Sequence, residues 1–443
     1  MRSTFTTSET SSKRWFKKAK FGMFIHWGLY SLRSSVGAEW AIYREQIPKE
    51  TYKTYQKKFN PDRYDPELWI DLAKRAGMKY VVLTTKHHDG FCLFDSAFTN
   101  WKSTRSPFGR DVVKDIAEIC RRKGLRFGMY YSIWDLWHPG LSGGIAHSLG
   151  AEGELQQNRD QWVPSRDGIN YLHSQVEELL TNYGTVDIFW FDVKRAPCAA
   201  YEGDRLIQRI RELQPDILIN DRLTIGDSDT PIDIITPENK IPREGIRSAD
   251  GTPLRWESCM CYNQNWGYVR DDRSYKGPEM VLQQLAEITS KGGNFLLNVG
   301  PNARGEFPEP YYRQMLEHVG SWIERNGSSI FDTNPPSIKL SPDCSWENFF
   351  CENFRWKVAY SQKGANYLYV HIIEYPDNLR IVVPAFEDYQ ISRAYILDDG
   401  SEVPFERQSY LGLKPKECTL ILPREPDLSG LTTVVLELES IKN

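Results

Sequence analysis

Short apolar runs separated by amphipathic stretches organise the first three quarters of the chain. Runs at residues 21–30, 79–85, 126–132, 186–192, 216–221, 232–238, 255–260 and 293–300 are rich in β-branched and aromatic residues and bounded by turn formers, which predicts eight strands. Between many of them apolar positions recur at helical spacing. In 66–76 (PELWIDLAKRA), Leu68, Leu72 and Ala76 share one face, and Gly77 supplies the C-terminal stop. Segments 111–123, 170–183, 204–213 and 278–291 repeat the pattern and end before Gly124, Gly184, Pro215 and Gly292. Alternating strands and helices imply parallel strands, and eight of them imply a closed barrel. The connections 222–231 and 239–254 are too polar and broken for helices, so the barrel is expected to be distorted there. A helix over 309–325 closes this region, and the turn-rich stretch 326–337 contains the adjacent prolines Pro335 and Pro336. Beyond it the pattern changes to short strands, at 355–360, 367–373, 380–384, 393–397, 417–422 and 432–438, with turns between them. The expected fold is α/β: a polar tail over 1–14, a distorted (β/α)8 TIM-like barrel over 15–333 and an all-β sandwich over 334–443.

Bulk properties narrow the partners. The 443 residues suit one barrel of ~250 residues or more plus a small second unit. A net charge of −4 and the lack of any long Lys/Arg run argue against a nucleic-acid partner. No apolar run reaches the ~18 residues of a membrane helix, so no membrane partner is expected. The eight cysteines form no CxxC pair and read as reduced, mostly buried thiols, and the first residues are polar without an apolar signal core; together these predict a cytoplasmic protein. With 14 Trp and 23 Tyr, aromatics make up 13% of the chain; such rings pack cores but also stack on the C–H faces of sugars, and the Trp excess hints at a carbohydrate.

In a parallel barrel, chemistry gathers at the C-terminal ends of the strands. Here those ends are polar: His26 with Glu39 and Trp40 in the loop after it, then Lys86-His87-His88-Asp89, Tyr131 with Trp134 beyond it, Asp192, Asn220-Asp221-Arg222, Glu238, and Glu257 with Trp266 following. Two carboxylates facing each other across such a bowl suit glycoside hydrolysis; in the retaining mode they lie roughly 5–5.5 Å apart, one attacking the anomeric carbon and the other giving and then taking a proton. Asp192, at the end of a strongly apolar strand, is the candidate nucleophile. Glu238, after Ile234-Ile235-Thr236-Pro237, is the candidate acid/base, with Glu257 after Trp256 as the alternative. Each has a plainer reading: Asp192 as a helix cap or turn former, and Trp40, Tyr131, Trp134 and Trp266 as core aromatics. His87 and His88 are adjacent, so on an extended strand they point to opposite faces. One metal ion could not easily take both, and no HExxH or Cys/His set accompanies them. A phosphate loop and a GxSxG elbow are absent as well.

The stretches KFGMFIHWGLYS (20–31), AEW (38–40), GMKYVVLTTKHHDGF (77–91), MYYS (129–132), WFD (190–192), WE (256–257), WGY (266–268) and GGNFLLNVGP (292–301) resemble glycoside hydrolase family 29, the α-L-fucosidases. The resemblance spans about residues 15–327, and the C-terminal module looks like that family's accessory sandwich. It implies a retaining exo-α-L-fucosidase that releases L-fucose from the non-reducing ends of fucosylated glycans. Asp192 would be the nucleophile and Glu238 the acid/base, its TPE setting (236–238) favouring it over Glu257. His26, Glu39, Trp40, His87, His88, Tyr131 and Arg222 would bind the fucose hydroxyls, ring oxygen and nucleophile, and Trp266 would line the pocket for the C6 methyl. No metal or organic cofactor is implied. One departure is Val193-Lys194-Arg195 after the nucleophile, where many relatives carry Gly. The loop 140–161 looks peculiar to this chain, with leaving-group contact or plain disorder as its role. Two other readings stay open here: a related retaining glycosidase for another sugar, such as a galactoside, and a fucose-binding protein without catalysis. The sequence also leaves open the linkage, α-1,3/1,4 selectivity included, and a homo-oligomeric state.

Overall fold

A computed structural model describes residues 13–143, 162–308, 310–339, 358–407, 417–423 and 430–441. Most of the tail 1–14 and of the loop 140–161 lies outside them. Seven parallel strands form the central sheet: β1 (Phe21–Ile25), β2 (Tyr80–Lys86), β3 (Arg126–Ser132), β4 (Ile188–Asp192), β5 (Leu218–Ile219), β6 (Glu257–Cys261) and β7 (Asn294–Val299), in the order β5-β4-β3-β2-β1-β7-β6.

The eighth predicted strand, 232–238, is not a regular strand. It lies between β5 and β6 and touches both through single parallel bridges, Asn220 to Ile234, Ile235 to Trp256 and Glu238 to Cys259. Two features explain the broken ladder. Pro237 has no N–H to give. The amide of Thr236 donates to the side chain of Asp221 at 3.2 Å, and that of Ile219 to the side chain of Asp233 at 3.0 Å. The distortion expected beside 222–231 and 239–254 is thus present, and neither connection is helical beyond one 3-10 turn, Asp221–Leu223.

Helices surround the sheet. After the short α1 (Arg14–Ala19), α2 (Ala41–Arg44) and α3 (Lys49–Gln56) come α4 (Pro66–Arg75), α5 (Val112–Lys123), α6 (Arg166–Asn182), α7 (Gly203–Leu213), α8 (Pro278–Ser290) and α9 (Tyr311–Asn326). Their starts follow local chemistry: Asp65 caps α4 and Asp111 caps α5 through their side chains. Ser165 caps α6 through the Gly168 amide, which starts that helix four residues earlier than its apolar periodicity suggests.

Strand alternation sorts the core into two shells. Phe24, Val82, Tyr130, Ile188, Trp190, Leu218, Cys259 and Leu296 pack inside the barrel, and Phe16 and Ala19 of α1 plug its N-terminal end. Their strand neighbours, Phe127, Met129, Tyr131, Phe189, Phe191, Phe295 and Leu297 among them, face the helices. Gly22 matters to the interior, because a Cβ there would lie 2.5 Å from the Tyr80 ring that crosses the barrel.

The C-terminal region is antiparallel. β8 (Val358–Lys363), β9 (Tyr367–Ile372), β11 (Tyr389–Ile396) and β14 (Thr433–Ser440) form one sheet in the order β11-β14-β9-β8. β10 (Arg380–Pro384), β12 (Phe405–Arg407) and β13 (Glu417–Ile421) form another in the order β10-β13-β12. Their facing residues, including Tyr360, Val370, Ile381, Val383, Leu420 and Leu436, make a separate apolar core. The architecture is therefore a barrel-like parallel sheet followed by a β-sandwich, with β12 too short to register as an apolar run.

Candidate active site

Asp192 is the last residue of β4. Alternation places it on the same interior face as Trp190 and level with Ser132 at the end of β3. Its Oδ2 accepts a 2.8 Å hydrogen bond from the Tyr130 hydroxyl, and its Oδ1 one of 3.1 Å from an Arg222 guanidinium nitrogen. Burial raises the carboxyl pKa, while Arg222 and Tyr130 oppose the rise. The side chain keeps 14% exposure, so it is open to solvent rather than sealed.

Arg222 follows β5 and is held rigidly. Its Nε donates to Thr236 Oγ1 at 3.0 Å, and its terminal nitrogen donates both to Thr236 O at 3.0 Å and to Glu238 Oε2 at 3.1 Å. The guanidinium also lies over the Trp190 ring, 5.0 Å from its centre. One cation therefore bonds both Asp192 and Glu238. Carboxylates on neighbouring nitrogens of one guanidinium stand within a sugar ring's reach of each other. The two differ in access, since the Glu238 side chain is 45% exposed at the rim.

Three histidines line the other side, all buried and all with pKa lowered by desolvation, His26 to about 3. They are neutral, and the hydrogen bonds fix two tautomers. Asn298 Nδ2 donates to Trp266 O at 2.8 Å, which leaves its Oδ1 to accept from His26 Nδ1 at 2.6 Å. Ser132 Oγ donates to Trp134 O at 2.5 Å and so accepts from His88 Nδ1 at 2.7 Å. Both rings are left with a bare Nε2, the acceptor a sugar hydroxyl needs. His88 Nε2 stands 4.0 Å from Asp192 Oδ2 and, being neutral, forms no ion pair with it. His87 stacks on Tyr130 with an interplanar angle of 11°. Glu39 is buried, and its Oε2 accepts from the Gly267 amide at 3.3 Å, joining the loop after β1 to the loop that carries Trp266.

Trp266 packs on the His26 ring at 5.0 Å, and Trp40 packs on His88 at 4.3 Å and Trp134 at 5.5 Å. The loop bearing Trp134 is anchored from below. The Lys86 ammonium bonds Asp135 Oδ2 at 2.8 Å with both side chains buried, and Asp135 Oδ1 takes the amides of Trp137 and His138, each at 2.8 Å.

His26, Glu39, Trp40, His87, His88, Asp192, Arg222, Glu238 and Trp266 thus converge on one end of the barrel. Two predicted residues do not. Tyr131 sits one position off the interior face. Its hydroxyl donates to Gln175 of α6 at 2.9 Å and its ring covers Lys86, so it packs between sheet and helix. Glu257 is the first residue of β6, at the opposite end of the barrel, with no exposure. Both of its oxygens are occupied, by the Tyr80 hydroxyl at 2.6 Å and Trp190 Nε1 at 2.9 Å, and burial pushes its pKa up to about 7. A sugar cannot reach it there. Conversely, Tyr130, Thr236, Ser132 and Asn298 hold the site together and went unassigned. Counting alternate positions back from Asp192 and Ser132 would have found Tyr130. Among the described residues, no group of three or more His, Cys, Asp or Glu is arranged to hold a metal ion.

Comparison with known proteins meets this geometry. Residues 2–328 match the family profile described as Alpha-L-fucosidase. The human plasma alpha-L-fucosidase is 30% identical over 344 residues, covering 72% of this chain and 69% of that protein. The structure of alpha-L-fucosidase isoenzyme 1 from Paenibacillus thiaminolyticus superposes with a TM-score of 0.82 at 38% identity, covering 97% of this chain and 99% of that one. A Thermotoga maritima alpha-fucosidase solved with a mechanism-based inhibitor superposes with a TM-score of 0.75 at 26% identity, over 97% of each chain. The chain belongs to the α-L-fucosidase family of glycoside hydrolases.

Proposed function

We propose that the protein hydrolyses terminal α-L-fucosides with retention of configuration, with Asp192 as nucleophile and Glu238 as acid/base. The observation that carries this reading is the single guanidinium of Arg222 bonded to both carboxylates. Asp192 lies inside, where its attack on the anomeric carbon forms a glycosyl ester and Tyr130 and Arg222 stabilise the carboxylate when it leaves. Glu238 lies at the open rim, where it gives its proton to the departing glycosidic oxygen and then takes one from the water that cleaves the ester. The neutral His26 and His88 accept from sugar hydroxyls, and Trp266 offers an apolar wall to the C6 methyl. The substrate is accordingly a fucosylated oligosaccharide or glycoconjugate.

Replacing Asp192 by Gly tests the assignment. Turnover of an aryl α-L-fucoside should fall by about 10⁴-fold or more, and azide, entering the vacated space, should partly restore it. Near wild-type turnover by Asp192→Gly would overturn the proposal.

A further inference from the structure

Glu238 must hold its carboxyl at a fixed point above the sugar, yet it is nearly half exposed and sits on a segment that is not a regular strand. Its position therefore depends on how the backbone is fastened. The fastening is visible in the residue after it. The Cys259 amide donates to Pro237 O at 3.2 Å, and the Asn239 amide donates to Cys259 O at 2.9 Å. A regular strand would next offer a backbone carbonyl to Cys261. Instead, Asn239 adopts φ 50°, in the left-handed region, and the chain turns out of the ladder. Its side chain takes over: Asn239 Oδ1 accepts the Cys261 amide at 3.0 Å, and Nδ2 points to Cys261 Sγ at 3.9 Å. The carboxamide has the donor and acceptor of a peptide group, and Asn is among the few side chains that tolerate this backbone conformation.

We propose that Asn239 is a positioning residue whose carboxamide continues the β6 ladder past Glu238 and so fixes where the proton donor stands relative to Asp192. This rests on the assignment of Glu238 as acid/base. A misplaced acid harms cleavage of poor leaving groups, which need protonation, and spares good ones, which do not. A general loss of structure lowers both alike.

The experiment compares kcat/KM for an alkyl α-L-fucoside and a dinitrophenyl α-L-fucoside in Asn239→Ala, Asn239→Gly and Asn239→Asp, with Glu238→Ala as reference. Asn239→Ala and Asn239→Gly should lose about tenfold or more on the alkyl substrate while staying within about threefold on the dinitrophenyl substrate. Asn239→Asp keeps an oxygen for the Cys261 amide and should recover most of the loss. Asn239→Gly is free of left-handed strain, so it carries the test if Asn239→Ala folds poorly. Equal losses on both substrates, full activity in Asn239→Gly, or no effect in either variant would overturn the proposal, given a leaving-group effect in Glu238→Ala. If Glu238→Ala itself shows no such effect, the acid/base assignment falls first and this inference with it.

Discussion

Asp192 and Glu257 stand at opposite ends of the barrel, and their surroundings are built on different principles. Asp192, at the C-terminal end, faces a cation and keeps a path to solvent. Glu257, at the N-terminal end, has two neutral donors, no exposure and, among the described residues, no cation bonded to it. Both are raised in pKa by burial, but at Asp192 a full positive charge works against the rise. At the upper site that charge favours the ionised form against the effect of burial. The lower site stores a carboxyl that is half protonated near neutrality and braces Trp190, the ring on which Arg222 rests. Position along the strands decides which carboxyl stays open to solvent.

The comparison breaks most visibly at the shared cation. Arg222→Met should lower kcat/KM by about 10²–10³-fold, since it removes charge stabilisation from both carboxylates. Because Arg222 holds the Asp192 pKa down, its loss should also move the acidic limb of the kcat/KM profile to higher pH. Next in size, Lys86→Met should destabilise the fold by about 3–5 kcal/mol in chemical denaturation, because Asp135 is left buried without its counter-charge.

The lower site answers to pH through stability. Glu257 has a folded pKa of about 7 against an ordinary 4.5, so its contribution is full below 4.5 and is lost as pH rises through 7. Glu257→Gln mimics the protonated form, its oxygen serving Trp190 and its amide the Tyr80 oxygen. Its melting temperature should match wild type in acid and exceed it above pH 7, by a free-energy difference of about 3 kcal/mol. The smallest contrast is between neighbours on β3. Tyr130→Phe should cost about tenfold in kcat by freeing one oxygen of Asp192, whereas Tyr131→Phe should leave kinetics unchanged and cost about 1 kcal/mol of stability.

Much of this was legible beforehand, because strand and helix periods differ and the barrel follows from their alternation. Asp192 was legible for the same reason: it ends an apolar strand whose neighbours fix its direction. Tyr131 was misplaced by one residue, and in a strand one residue reverses the face. For Glu257 the strand is legible but the place within it is not; β6 begins at Glu257, so its carboxyl starts two residues below Cys259 rather than at the top. The link from Arg222 to Glu238 was not legible, since it depends on an irregular segment shaped by Pro237, Asp221 and Asn239, where no period operates.

The most direct test of the account is covalent trapping. A 2-deoxy-2-fluoro-fucosyl fluoride slows both chemical steps and, with its good leaving group, lets the ester accumulate. After digestion, mass spectrometry should find the fluorofucosyl group on Asp192, in a single equivalent and absent from Asp192→Gly. Labelling at Glu238 or Glu257, or turnover of aryl fucoside with inverted configuration, would contradict it.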